Sequence, residues 1–220
     1  MSLIGLCFCH GWGFSSDYWK PLISSFEGYP IQNWNLGYFG ERSLPLPDPS
    51  TDHWIAIGHS IGFRSLMESK APWKGAIVVQ GFFDFLGPEP RLRKIRDRSL
   101  TQMREGWEKN PSEILQGFYK ACQIPSTAQP LGTPALNRLK ADLHSLQSPG
   151  NFASPLNIPH LVLGSRDDQI VPPPLLESEW NSEKIRWSAK GGHALGFFES
   201  DFVIESIHSL IREVRENIHP

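Results

Sequence analysis

Cysteine is scarce: three in 220 residues, too few and odd in number for the disulfide framework of a small secreted scaffold, so a reducing, cytoplasmic setting is expected. No apolar run approaches the ~20 residues that a membrane-spanning helix needs. The apolar stretch Leu3 to Cys9 is only as long as a strand, lacks a basic segment before it and runs into Gly11 and Gly13, unlike a secretory signal. An excess of one charge is also missing. Lys and Arg number 21 against 23 Asp and Glu, a formal −2, which argues against nucleic acid as the partner. There is no internal repeat and no low-complexity tract. What remains is a soluble domain, 40% hydrophobic, long enough to bury a substantial core.

Apolar runs with turn residues at their ends mark the strands. Leu3 to Cys9, Tyr29 to Leu36, His53 to Ile57, Gly75 to Gln80, Pro159 to Gly164 and Lys184 to Ser188 read as six, several without the polar alternation of a half-exposed sheet. Helical patterns alternate with them: about ten residues after Ser15 or Ser16 carrying Trp19, Leu22, Ile23 and Phe26, a second from Ile61 to Ser69, and a last from Phe197 to Val214 with Phe202, Ile207, Leu210 and Ile211 as its stripe. Such alternation predicts an α/β fold with a mostly parallel sheet flanked by helices. Residues 88–150 break the rhythm, with helical stretches parted by Asn110-Pro111, Pro125 and Pro130 and no strand. We therefore expect a core of 1–87 and 151–220 with a helical insertion at 88–150.

Gly58-His59-Ser60-Ile61-Gly62 falls between a strand and a helix. A serine there sits on a sharp turn that exposes its hydroxyl, and the flanking glycines leave room for the neighbouring strand and helix. The hydroxyl is a poor nucleophile until a base oriented by a carboxylate takes its proton. Asp167-Asp168 follows the fifth strand and Gly191-Gly192-His193 the sixth, so serine, acid and base each close a parallel strand, where open α/β sheets place their sites. A tetrahedral oxyanion needs donors. The amide after the nucleophile, Ile61, is one, and the loop His10-Gly11-Trp12-Gly13 offers the Trp12 amide as the other.

Taken together, the His-Gly-Trp-Gly loop, the GHSIG turn, the segment Gly164-Ser-Arg-Asp-Asp-Gln-Ile-Val-Pro172 and Gly191-Gly-His-Ala194 resemble the α/β-hydrolase superfamily over the whole chain. Within it, the loop is similar to that of the esterases that cleave the methyl ester of pimeloyl-acyl carrier protein in biotin synthesis. The resemblance implies the α/β-hydrolase fold, the triad Ser60, Asp168 and His193, no cofactor, and a lid of helices at the insertion. The family's usual spacing before Val171 and Pro172 points to Asp168 as the acid, while counting forward from Gly164 points to Asp167. The family also begins with two antiparallel strands that this chain does not show.

The remaining histidines, His53, His144, His160, His208 and His219, lack metal-ligand spacing, so no metal site is expected. His10 and His59 read as supporting residues, and Cys7 and Cys9 as packed hydrophobes. The insertion carries ten Lys and Arg against six Asp and Glu, a balance of +4, leaving eleven against seventeen, or −6, elsewhere. Arg91, Arg93 and Arg96 are thus candidates to meet an acidic carrier protein or anionic substrate. Trp12 and Phe82 are candidate walls of an acyl pocket. The chain is expected to be a serine carboxylesterase acting on an acyl ester, either borne on acyl carrier protein or short and free. A binding protein of the same fold without turnover is the alternative of another class.

Overall fold

All six strands foreseen in the sequence are present and pair in parallel, in the order β2-β1-β3-β4-β5-β6. The computed structural model describes residues 3–152 and 156–218, so parts of the expected core segments, His219 among them, lie outside the described residues. β1 (Ile4–Cys9) is buried on both faces, which is why it reads as an unbroken hydrophobic run. β2 (Ile31–Trp34) is the edge strand beside β1, and β3 (His53–His59) lies on the other side of β1. β3 runs two residues past the expected Ile57, because Gly58 pairs with Cys9 and His59 with Val79. β4 (Trp73–Val79), β5 (His160–Ser165) and β6 (Ile185–Ser188) complete the sheet.

The strand order reverses between β1 and β3. Right-handed crossovers then send the chain leaving β1 and the chain leaving β3 to opposite faces, and their two loops border a crevice at the carboxyl edge. Those loops are His10–Gly13 and the turn at Ser60. The topology alone thus brings two distant motifs side by side.

After Ser15 the chain forms short helical turns rather than one helix: a 3₁₀ turn at Ser16–Trp19, α1 (Lys20–Ile23) and another 3₁₀ turn at Ser24–Phe26. Pro21 supplies no N–H for a continuous ladder, yet Trp19, Leu22 and Phe26 are fully buried, as their spacing requires. α2 (Ile61–Glu68) packs on β3 and β1. The closing helix divides at Glu199 into α7 (Leu195–Phe198) and α8 (Ser200–Ile218). The buried stripe of α8 is Val203, Ile207, Leu210, Ile211 and Val214, with Phe202 only partly covered.

Between β4 and β5 stand α3 (Pro90–Lys109), α4 (Pro111–Ala121) and α5 (Leu136–Ser145). Proline opens both α3 and α4, where no N–H is needed. Glu89 caps the amides of Arg91 and Leu92, and Asn110 caps Glu113. Three hydrogen bonds pin α4 and α5 over the carboxyl edge of the sheet. Trp12 Nε1 donates to the Leu139 carbonyl (2.8 Å), Tyr119 Oη to the Gly13 carbonyl (2.6 Å), and Tyr38 Oη to Asp142 Oδ2 (2.6 Å). α6 (Pro173–Glu179) follows β5. Among the described residues no helix is long and apolar enough to cross a membrane.

Candidate active site

Ser60 has φ 54° and ψ −128°, a conformation that costs an L residue on the order of 1–3 kcal/mol and persists where the surroundings impose it. Here they do. Its N–H donates to the Val79 carbonyl and its own carbonyl accepts from Phe63, fixing the turn from both sides. A Cβ at position 58 would lie 2.3 Å from Phe63 Cα, and one at position 62 would lie 2.3 Å from the His10 carbonyl oxygen. Only glycine fits either site, so the G-x-S-x-G spacing follows from packing. A Cβ on Gly11 would come 3.0 Å from Ser60 Cβ, which places the His10–Gly13 loop directly against the serine. Among the described residues neither the Trp12 nor the Ile61 N–H finds a backbone acceptor, leaving both free for a ligand oxygen.

Asp168 and His193 meet in the interior beside this turn, 3% and 1% exposed. His193 Nδ1 donates to Asp168 Oδ2 at 2.9 Å. Asp168 Oδ1 accepts the amides of Ile170 (2.8 Å) and Val171 (2.9 Å), and Oδ2 also accepts Gln80 Nε2 (2.6 Å). Four donors saturate the carboxylate and leave it no freedom to turn. With Nδ1 committed as donor, His193 Nε2 carries the lone pair, and it is buried with no hydrogen-bond partner. Ser60 Oγ is not bonded to it in this state. Apo sites often leave such bonds to tighten around substrate.

Asp167 does something else. Its Oδ1 accepts Ser165 Oγ and the Gly192 N–H (2.8 Å), and Oδ2 accepts Gln123 Nε2 (3.4 Å). Partial burial pushes this carboxyl up, but the donors outweigh that and hold it below the usual range. It is a staple for the turn before His193. Between the two carboxylates that spacing left open, only Asp168 touches the imidazole.

The other histidines support. His10 Nδ1 donates to the Gly11 carbonyl (2.9 Å) and its Nε2 accepts the Leu36 N–H (3.1 Å), and burial pushes its pKa down to about 4. His59 stacks on Tyr18 with 4.4 Å between ring centres and bonds through Nε2 to the His193 carbonyl (3.0 Å). Burial, reinforced by His193, keeps His59 neutral, well below the ordinary histidine range. Among the described residues no three His, Cys, Asp or Glu side chains are grouped to hold a metal ion.

A cavity of about 380 Å³ opens over Ser60 and Ile61, walled by Trp12, Phe82, Phe85, Leu100, Met103 and Phe118. The two walls foreseen, Trp12 and Phe82, are both in it. The three arginines separate. Arg96 lines the cavity and donates through Nη1 to the Phe85 carbonyl (2.8 Å). Arg93 faces away and is bound by Asp84 and the Gly87 carbonyl, so its charge is already neutralised. Arg91 is exposed on α3 and is not part of the cavity wall. Of the three arginines expected to meet substrate or carrier, only Arg96 is therefore on the cavity wall, because side chains at 91, 93 and 96 leave a helix in different directions.

Gln80 is the functional neighbour that sequence reasoning missed. Its bonding partners lie 88 to 115 residues further along the chain. The one available signal was a polar residue closing an apolar strand at the sheet's carboxyl edge.

The sheet topology, the strained serine turn and the loop order together define the α/β-hydrolase fold. Among solved structures, the chain is similar to an esterase from Exiguobacterium antarcticum (TM-score 0.73, 13% identity, 97% of this chain and 92% of that one) and to a bromoperoxidase from Bacillus anthracis (0.73, 15%, 96% and 92%). A Bacillus megaterium epoxide hydrolase solved with an inhibitor matches at TM-score 0.69 and 13% identity, over 96% and 94% of the two chains. No protein-family model matches the chain, and no curated protein is significantly similar to it.

Proposed function

We propose that the chain is a serine hydrolase of carboxylic esters. The observation that carries this reading is the unpartnered Nε2 of a buried histidine, whose other nitrogen is held by a saturated aspartate, beside a serine on a strained turn. In the proposed cycle, Ser60 Oγ bonds to the ester carbonyl carbon as His193 Nε2 takes its proton. The oxyanion rests on the Trp12 and Ile61 amides. Collapse expels the alcohol, which receives the proton from His193, and a water activated by the same nitrogen releases the acid from Ser60. These steps require no cofactor. A fluorophosphonate tests the reading directly: mass spectrometry should find the phosphonyl group on Ser60 and on no other residue, and an unlabelled Ser60 overturns it.

For the substrate we propose the methyl ester of pimeloyl-acyl carrier protein, met in the cytoplasm. The apolar cavity suits a medium acyl chain, being within the ~300–1,000 Å³ of typical ligand sites. Arg91, Lys94 and Arg98 are exposed at i, i+3 and i+7 on α3 and form a basic stripe beside the cavity residues Leu92, Ile95 and Ser99. An acidic carrier would meet that stripe. Changing Arg91, Lys94 and Arg98 to Glu should cut kcat/KM on the carrier-borne ester at least about tenfold, one decade per 1.4 kcal/mol. Hydrolysis of p-nitrophenyl acetate should stay within twofold. Equal losses on both substrates would leave the short-ester reading instead.

A further inference from the structure

We propose that Gln80 is a positioning residue that locks the acid and the histidine-bearing turn into one unit, an inference that rests on the serine-hydrolase reading. Gln80 closes β4, is fully buried, and holds φ 51°, a left-handed conformation rare for a residue with a Cβ. A buried strand end would ordinarily carry an apolar residue in relaxed geometry. This one carries an amide whose every hydrogen-bonding group is used on the site. Nε2 donates one hydrogen to Asp168 Oδ2 and the other to the Gly192 carbonyl, while Oε1 accepts the Leu195 N–H at 3.3 Å. The first bond fixes the carboxylate that holds His193. The other two grip the backbone on either side of His193, one residue before and two after. His193 is thereby set from three directions at once, through Asp168 below and through both arms of its own turn.

The side chain must be an amide. Both Asp168 Oδ2 and the Gly192 oxygen are acceptors, so the group between them has to bring two hydrogens, and a carboxylate brings none. The titratable and charged groups facing this unit are Asp168 and His193, His59 against the His193 carbonyl, Asp167 on the Gly192 amide and Arg96 within electrostatic reach of Asp168, with Tyr18 and Cys122 beyond, both of which burial keeps protonated.

Three proteins test the idea: wild type, Gln80→Met, and Gln80→Glu. The readout is the rate at which a fluorophosphonate labels Ser60, followed across about pH 6 to 9, where histidine and a buried carboxyl titrate. The wild-type profile is the reference. Gln80→Met should label about 10- to 100-fold more slowly, the scale expected when catalytic groups lose their alignment, with KM for p-nitrophenyl acetate within threefold. Gln80→Glu should show a new alkaline limb, because the introduced acid can donate to Asp168 only while protonated. Loss of activity through misfolding would scale the whole profile and create no such limb, so the Glu variant decides the matter even if the Met variant is unstable. Labelling of both variants at the wild-type rate, with parallel profiles, overturns the role of Gln80. Failure of wild type to label at Ser60 instead sinks the serine-hydrolase reading itself.

Discussion

Replacing Ser60 by alanine should lower kcat for p-nitrophenyl acetate by at least about 10³-fold, the scale seen when a hydrolase loses its nucleophile while oxyanion donors and binding remain. The residual rate should come from the free Trp12 and Ile61 amides and from the apolar cavity, which the substitution leaves in place. Stability should hardly change. Alanine at position 60 carries the same Cβ through the same φ of 54°, and among the described residues Ser60 Oγ makes no hydrogen bond that its removal would break. Thermal melting therefore separates loss of chemistry from loss of fold. Undiminished turnover in a folded Ser60→Ala protein would mean that another group does the work, or that the fold here only binds.

The second large effect is expected at the acid, where two neighbouring carboxylates should behave very differently. In Asp168→Asn, the amide oxygen can still accept Ile170 and Val171, but an NH₂ group then faces two donors, Gln80 Nε2 and His193 Nδ1–H. Relief requires His193 to move its hydrogen to Nε2, which removes the lone pair that the serine needs. A loss of about 10⁴-fold in kcat is expected for such a wrong tautomer. Asp167→Asn keeps an oxygen for Ser165 and Gly192 and can satisfy Gln123 by an amide flip, so its loss should stay under about tenfold. Steady-state kinetics on the pair reads the ratio directly. Comparable losses would show that the two carboxylates share the role.

Much of this was written locally in the sequence. Unbroken apolar runs gave the strands, since a strand covered on both faces has no polar side to show. The serine turn was legible because its glycines stand at fixed spacing about the serine, Gly58 forced by the nearby Phe63 and Gly62 by the backbone of Cys9 and His10. The acid was harder. Asp167 and Asp168 are equally polar and adjacent, and only the approach of a loop 25 residues away distinguishes them. Gln80 and the separation of Arg91, Arg93 and Arg96 were out of reach for the same reason: what each side chain does depends on groups that the fold delivers, Asp168 for Gln80 and Asp84 for Arg93. The long expected helix after Ser15 failed on a local matter, the missing N–H of Pro21, which periodicity does not weigh.

The helices between β4 and β5 supply about half of the cavity wall and none of the groups of the proposed triad. Leu92, Ile95, Arg96, Ser99, Leu100 and Met103 all hang from α3, and Phe118, Leu143 and Leu146 come from the stretch behind it, whereas Ser60, Asp168 and His193 follow the ends of β3, β5 and β6. Mutational drift in one helix can therefore recut that side of the cavity while Ser60, Asp168 and His193 stay untouched, so that in lineages descended from this fold the shape of the cavity and the groups beneath it can evolve at separate paces.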